Sequence, residues 1–121
     1  MSANETELKA LMTASLAGDA SAHRTLLNRL SANLRAYYKT RLARIGRSAT
    51  EAEDLTQEAL MAIHTRRHTY DPAELLTPWV HAIARYKLID HLRRTNAARA
   101  DVPIDDAAEV TARDDLSLIH I

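Results

Sequence analysis

The sequence predicts an all-α fold, a compact bundle of about four helices followed by an acidic, flexible C-terminal tail, and three observations carry that expectation. The apolar content comes from Ala, Leu and Ile with no phenylalanine, whereas strands draw on β-branched and aromatic side chains. Only two glycines and three prolines interrupt 121 residues. Apolar residues recur three and four positions apart over long windows, the period of one helix face. A chain of this length holds one core with its tails, and a doubly wound sheet would need more.

The first helix rests on Leu8, Leu11, Met12 and Leu16, with Asn4 and Glu7 spaced as a capping box and Gly18 as the stop. Asp19 can cap a longer second helix, whose stripe of Leu26, Leu30, Leu34, Tyr37, Leu42 and Ile45 ends at Gly46. Its arginines fall largely off that stripe. Thr50 and Glu53 form another capping-box spacing, opening a third helix that buries Ala52, Leu55, Ala59, Ala62 and Ile63. That phasing puts Asp54, Gln57, Glu58 and Met61 together on the outer face. From His68 to Leu76 the period fails around Tyr70-Asp71-Pro72, because the residue before a proline is pushed out of the helical region. Thr77 as cap and Pro78 in the first turn then open a fourth helix through Trp79, Ile83, Leu88, Ile89 and Leu92 to about Thr95. Residues 1–95 read as the helical domain, and residues 96–121, rich in Ala and Asp with Pro103, as a linker or tail.

Charge is balanced overall yet segregated along the chain. Arg24, Arg29, Arg35, Lys39, Arg41, Arg44 and Arg47 form one basic block, and Arg85, Lys87, Arg93, Arg94 and Arg99 a second. Glu51, Glu53, Asp54 and Glu58 lie between them, and Asp101, Asp105, Asp106, Glu109, Asp114 and Asp115 follow. By charge alone, this pattern suits either two kinds of partner or ordinary solvated helix faces.

Several function classes are disfavoured. Without cysteine there is no disulfide framework and no thiolate metal site. No basic-then-apolar leader opens the chain and no stretch reaches membrane-spanning length, so the expectation is a cytoplasmic protein that is not itself in the membrane. His64 and His68 lie one helical turn apart, but the glutamate that follows the first histidine in hydrolytic zinc helices is replaced by Thr65; surface histidines are expected there, with no metal and no other cofactor. Neither a glycine-rich phosphate loop nor a nucleophile elbow is present, so no enzyme is expected.

Three motifs occur in order: Ala52-Glu53-Asp54-Leu55-Thr56-Gln57-Glu58-Ala59-Leu60, Tyr70-Asp71-Pro72, and Trp79 through Arg94. Together they resemble the second conserved region of the sigma-70 family, in its extracytoplasmic-function group, over roughly residues 20–95. The resemblance implies a transcription initiation domain that docks on RNA polymerase core and recognises and melts the minus-ten promoter element. Polymerase binding would fall to Asp54, Gln57, Glu58 and Met61, against the clamp helices of the largest subunit. Capture of non-template single-stranded bases would fall to Tyr70, Trp79, Arg85, Tyr86, Lys87, His91 and Arg94, aromatic rings stacking on bases and cations meeting phosphates or base edges. Trp79, opening an amphipathic helix, is weighed more as core than as platform. Tyr86 stands where the family often has asparagine, which alters the expected base preference. The resemblance also implies an anti-sigma partner, membrane-bound in related subgroups, and a C-terminal helix-turn-helix domain that this chain is expected to lack. A reading of a different class is a helical interaction module that binds a regulator and never contacts DNA.

Overall fold

The computed structural model describes residues 3–99. They form four helices and no strand: α1, Ala3–Leu16; α2, Ala20–Arg44; α3, Ala49–Arg66; and α4, Leu76–Arg99, with a 3-10 turn over Arg67–Thr69 after α3. None of these helices is long and apolar enough to cross a membrane. The last part of the expected tail, from residue 100 on, lies outside the described residues, and α4 runs four residues beyond the expected end at Thr95.

The apolar stripes become one core. Leu8 and Met12 of α1, Leu26, Leu30, Leu34, Tyr37, Tyr38 and Leu42 of α2, Ala52, Leu55, Ala59, Ala62 and Ile63 of α3, and Val80, Ile83, Ala84, Leu88 and Leu92 of α4 are buried together. Leu11, Leu16, Ile45 and Trp79 pack against it partly exposed. The alanines of α3 matter because small side chains let a helix approach its neighbours closely. Tyr38 was not legible as core, since its neighbour Tyr37 already occupies the stripe. Its ring is nevertheless fully buried, and its hydroxyl donates 2.8 Å to the Ala84 carbonyl, tying α2 to α4. Burial first, and the Glu58 charge second, push this phenol well above its ordinary range, so it stays a donor.

The helix ends show where local rules held. Gly18 and Gly46 sit at φ +102° and +74°, conformations that cost other residues strain, and each closes a helix as expected. The Asp19 carboxylate accepts from the Ala22 N–H at 3.0 Å, capping α2.

Three expected caps are corrected. Asn4 and Glu7 lie within α1 and face Arg29 instead, whose Nη2 donates 3.0 Å to Asn4 Oδ1 and whose Nη1 lies 2.8 Å from Glu7 Oε2. The cap of α3 is Ser48, accepting from the Glu51 N–H at 3.3 Å, and Thr50 is inside the helix. The turn explains the shift: the Arg47 N–H closes back on the Leu42 carbonyl at 2.9 Å, so Ser48 is the first residue free to adopt the extended cap conformation. Thr77 does not cap α4; that role belongs to Glu5, whose Oε2 and Oε1 accept from the backbone N–H groups of Leu76 (3.0 Å) and Thr77 (2.7 Å). Burial alone would raise this carboxyl, but hydrogen bonds from the Thr77 hydroxyl and the two backbone amides, with the Lys9 charge, outweigh it and lower the pKa.

Two arginines depart from the expected outward placement. Arg41 is buried, its guanidinium 5.3 Å from the Tyr37 ring centroid. Arg47, with a side chain wholly shielded from solvent, donates to Thr95 Oγ1 at 2.6 Å and Asn96 Oδ1 at 3.1 Å and lies 3.5 Å from Glu51 Oε2. It thereby clamps the C-terminal part of α4 to the α2–α3 turn.

Candidate functional site

Asp54, Gln57, Glu58 and Met61 are spaced i, i+3, i+4 and i+7 on α3, which puts them on one face. All four are exposed, Met61 to 63%. An apolar side chain left this open beside two carboxylates and an amide has no folding rationale, because the core stripe lies on the opposite side of the helix. The neighbouring Glu53 is committed elsewhere. Arg35 Nε and Nη2 grip its two carboxylate oxygens at 2.6 and 3.1 Å, and Gln57 Nε2 donates to Oε1 at 3.1 Å. The Arg35 hydrogen bonds, then that of Gln57, lower the Glu53 pKa to about 2, so it is ionised through the neutral range and held against α2. Asp54 and Glu58 are left as the outward charges of the face.

The second surface comprises the segment 70–75 and α4. Asp71 shapes the segment as a turn: its Oδ1 accepts from the Ala73 N–H at 2.9 Å and its carbonyl from the Glu74 N–H at 2.9 Å. Asp71, Pro72, Ala73, Glu74 and Leu75 are exposed. On α4, Tyr86 is 71% exposed, with Arg85 and Lys87 on either side of it. A tyrosine this open leaves ring surface free for stacking. Arg94, also exposed, has its Nε 3.1 Å from Asp90 Oδ2 and its Nη2 3.9 Å from Glu58 Oε1, so the cation belongs to the α4 surface and the α3 face at once.

Three expected base or phosphate contacts sit differently. Tyr70 is only 4% exposed, its ring packed on Trp79 with centroids 5.5 Å apart and its hydroxyl donating to the Glu74 carbonyl; in this conformation it supports the turn and is not an open platform. Burial, followed by the charges of Glu5, Asp71 and Glu74, raises its pKa. Trp79 is half-buried against the core, in line with its weighting as a core residue. His91 is turned inward, its side chain largely buried and its Nε2 3.7 Å from Glu51 Oε2. Arg93, outside the set of expected DNA contacts, is exposed and has no ion partner among the described residues. Its position one turn below Ile89 and two below Tyr86 was a readable signal.

The histidine pair separates. His68 is exposed, whereas His64 Nδ1 lies 2.9 Å from His23 Nε2, and His23 Nδ1 lies 2.7 Å from Ser15 Oγ. Arg67 Nη1 approaches the same His64 Nδ1 at 3.3 Å, and a guanidinium can only donate, so that nitrogen is an acceptor. The polarity follows: Ser15 donates to His23, and His23 donates to His64. Burial first, then the charges of Arg67 and His64, lower the His23 pKa. No group of three or more potential metal ligands occurs among the described residues.

The two surfaces fall within the part of the chain that known proteins share. The model of the sigma-70 region 2 family matches residues 25–98. ECF RNA polymerase sigma factor SigF of Caulobacter vibrioides (strain NA1000 / CB15N) is 45% identical over 114 residues, covering 94% of this chain and 62% of that protein. The chain thus spans about three-fifths of the length of this relative. No solved structure matches it. The four-helix architecture agrees with the family match, and the chain belongs to the sigma-70 family, of which it carries region 2.

Proposed function

We propose that this chain is the polymerase-docking and promoter-opening part of a transcription initiation factor, acting in the cytoplasm by binding and not by catalysis. The α3 face of Asp54, Gln57, Glu58 and Met61 docks on RNA polymerase core, at the clamp helices of the largest subunit. The 70–75 segment and α4 capture non-template bases of the minus-ten element, with Tyr86 stacking and Arg85, Lys87, Arg93 and Arg94 meeting phosphates or base edges. The observation that carries this reading is an acidic face with an exposed methionine on one helix and a basic face with an exposed tyrosine on the next, inside a chain 45% identical to a protein named as an RNA polymerase sigma factor. An anti-sigma partner, anchored in the membrane, would act by covering these two faces.

Magnitudes set the division of labour. Separating DNA costs about 1.4 kcal/mol per base-pair step, and one stacked base returns about 1–3 kcal/mol. With Tyr86 as the open ring and Tyr70 and Trp79 packed together, the isolated chain cannot hold a multi-step bubble. Opening therefore depends on polymerase and on the rest of the factor, and the chain alone should prefer single-stranded DNA.

The test is affinity for reconstituted core polymerase. Alanine at Asp54, Gln57 and Glu58 together should weaken binding at least tenfold while each change shifts stability by under about 0.5 kcal/mol, since all three are exposed. Unchanged core affinity, together with core-independent capture of another protein, would move the chain to the interaction-module reading.

A further inference from the structure

Helix α1 lies wholly ahead of residues 25–98, the part matched to the family, yet it is the element that grips the base of the 70–75 turn. Glu5 is 4% exposed and spends both carboxylate oxygens on the N–H groups of Leu76 and Thr77, with the Thr77 hydroxyl as a further donor. One helical turn on, Lys9 Nζ donates 3.0 Å to the Glu74 carbonyl, the acceptor that also takes the Tyr70 hydroxyl. Three backbone positions, 74, 76 and 77, are thus fixed by two side chains more than sixty residues away in sequence, as the separations of 65, 71 and 72 record. The outer surface of the turn stays open, from Asp71 to Leu75.

A local cap would have satisfied the same amides. A buried carboxylate from another helix does more, because two fixed oxygens set both the distance and the direction of the α4 axis relative to the turn. We infer that Glu5 is a positioning residue for promoter recognition: with Lys9, it holds the 70–77 backbone in the one arrangement that lets the turn and Tyr86 discriminate between bases. The inference rests on the proposed reading of that segment and α4 as the base-capturing surface. Exchanging Glu5 for glutamine keeps the size but turns one acceptor into an N–H₂ facing a backbone N–H, which loosens the turn without emptying the site.

The test uses the full chain and single-stranded DNA oligonucleotides selected from a randomised pool as its tightest and weakest binders. Discrimination is the ratio of the two affinities, and one substituted base is worth roughly 5- to 150-fold in specific protein–DNA sites. Glu5→Gln should lower the ratio about fivefold or more, with affinity for the weakest oligonucleotide and for core polymerase unchanged. Leu42→Val, a core change at the far end of α2 adjusted in temperature to the same fraction folded, should keep the wild-type ratio. Lys9→Met, a partly exposed substitution that leaves the buried cap intact, should lower the ratio in the same direction. The inference is overturned if both α1 variants discriminate like wild type, or if Leu42→Val loses as much as Glu5→Gln. A wild-type chain that binds all sequences alike would overturn the base-capturing reading as well, which separates the two failures.

Discussion

Arg47→Ala should be the costliest single substitution of a charged residue in the domain. The side chain is wholly buried and makes contacts at 2.6, 3.1 and 3.5 Å to Thr95, Asn96 and Glu51. Hydrogen bonds from a charged donor contribute about 1.5–3 kcal/mol each, and breaking a buried pair costs about 3–5 kcal/mol when the remaining partner is stranded. The partners here are only partly stranded. Thr95 Oγ1 also donates to the His91 carbonyl at 2.9 Å, and Glu51, 27% exposed, can reach water. The balance is therefore about 2–3 kcal/mol. A domain of this size has about 5–15 kcal/mol in total, so the midpoint of thermal unfolding should fall by about 10–20 °C. Arg47→Met, which fills the space and removes the need to desolvate a guanidinium, should lose less than Arg47→Ala. Urea titration measures the free energies, and hydrogen exchange at residues 92–96 reports whether α4 frays from its C-terminal end. If Arg47→Ala lies within 0.5 kcal/mol of wild type, or Arg47→Met is the worse of the two, the clamp does not work as described.

Two further outcomes separate base contacts from phosphate contacts and fix the pH response. Tyr86→Ala should flatten discrimination among minus-ten sequences, whereas Arg94→Ala should weaken all of them alike and reduce the salt slope on single strands by about 0.7; competition titrations at several salt concentrations check both, and a reversal of the two patterns refutes the assignment. His23 has a lowered pKa in the fold, so the unfolded chain takes up its proton first. Its contribution is complete above the unfolded value of about 6.5 and is lost as pH falls from there through the folded value. Thermal melts from pH 7.5 to 5 should show a fall in stability that His23→Gln makes shallower; equal slopes for both proteins would remove His23 from the explanation.

The four helices were legible because burying a stripe of period 3.6 is a local requirement. Leu26, Leu30 and Leu34, or Ala52, Leu55 and Ala59, declare an inner face without reference to what covers it. Gly18 and Gly46 declare the stops, because a positive φ is a property of one residue. The outward group of Asp54, Gln57, Glu58 and Met61 was legible for the same reason, as the complement of a buried stripe. Family resemblance added the assignment of that face to a partner, which periodicity alone does not contain.

Tertiary structure alone decided which groups satisfy the helix ends and which charges turn inward. A backbone N–H is satisfied by any acceptor near it in space, so the local candidates Thr77 and Thr50 lost to Glu5, 71 residues from Leu76, and to Ser48, set by the shape of the preceding turn. Arg41 and Arg47 are buried because a ring in one case, and Glu51 with two uncharged side-chain oxygens in the other, converge on them only once the helices have packed. Tyr70 and His91, expected as ligand contacts, lie turned inward by the same rule. Sequence spacing orders residues around one helix, but only the neighbouring helix determines which of them meets water.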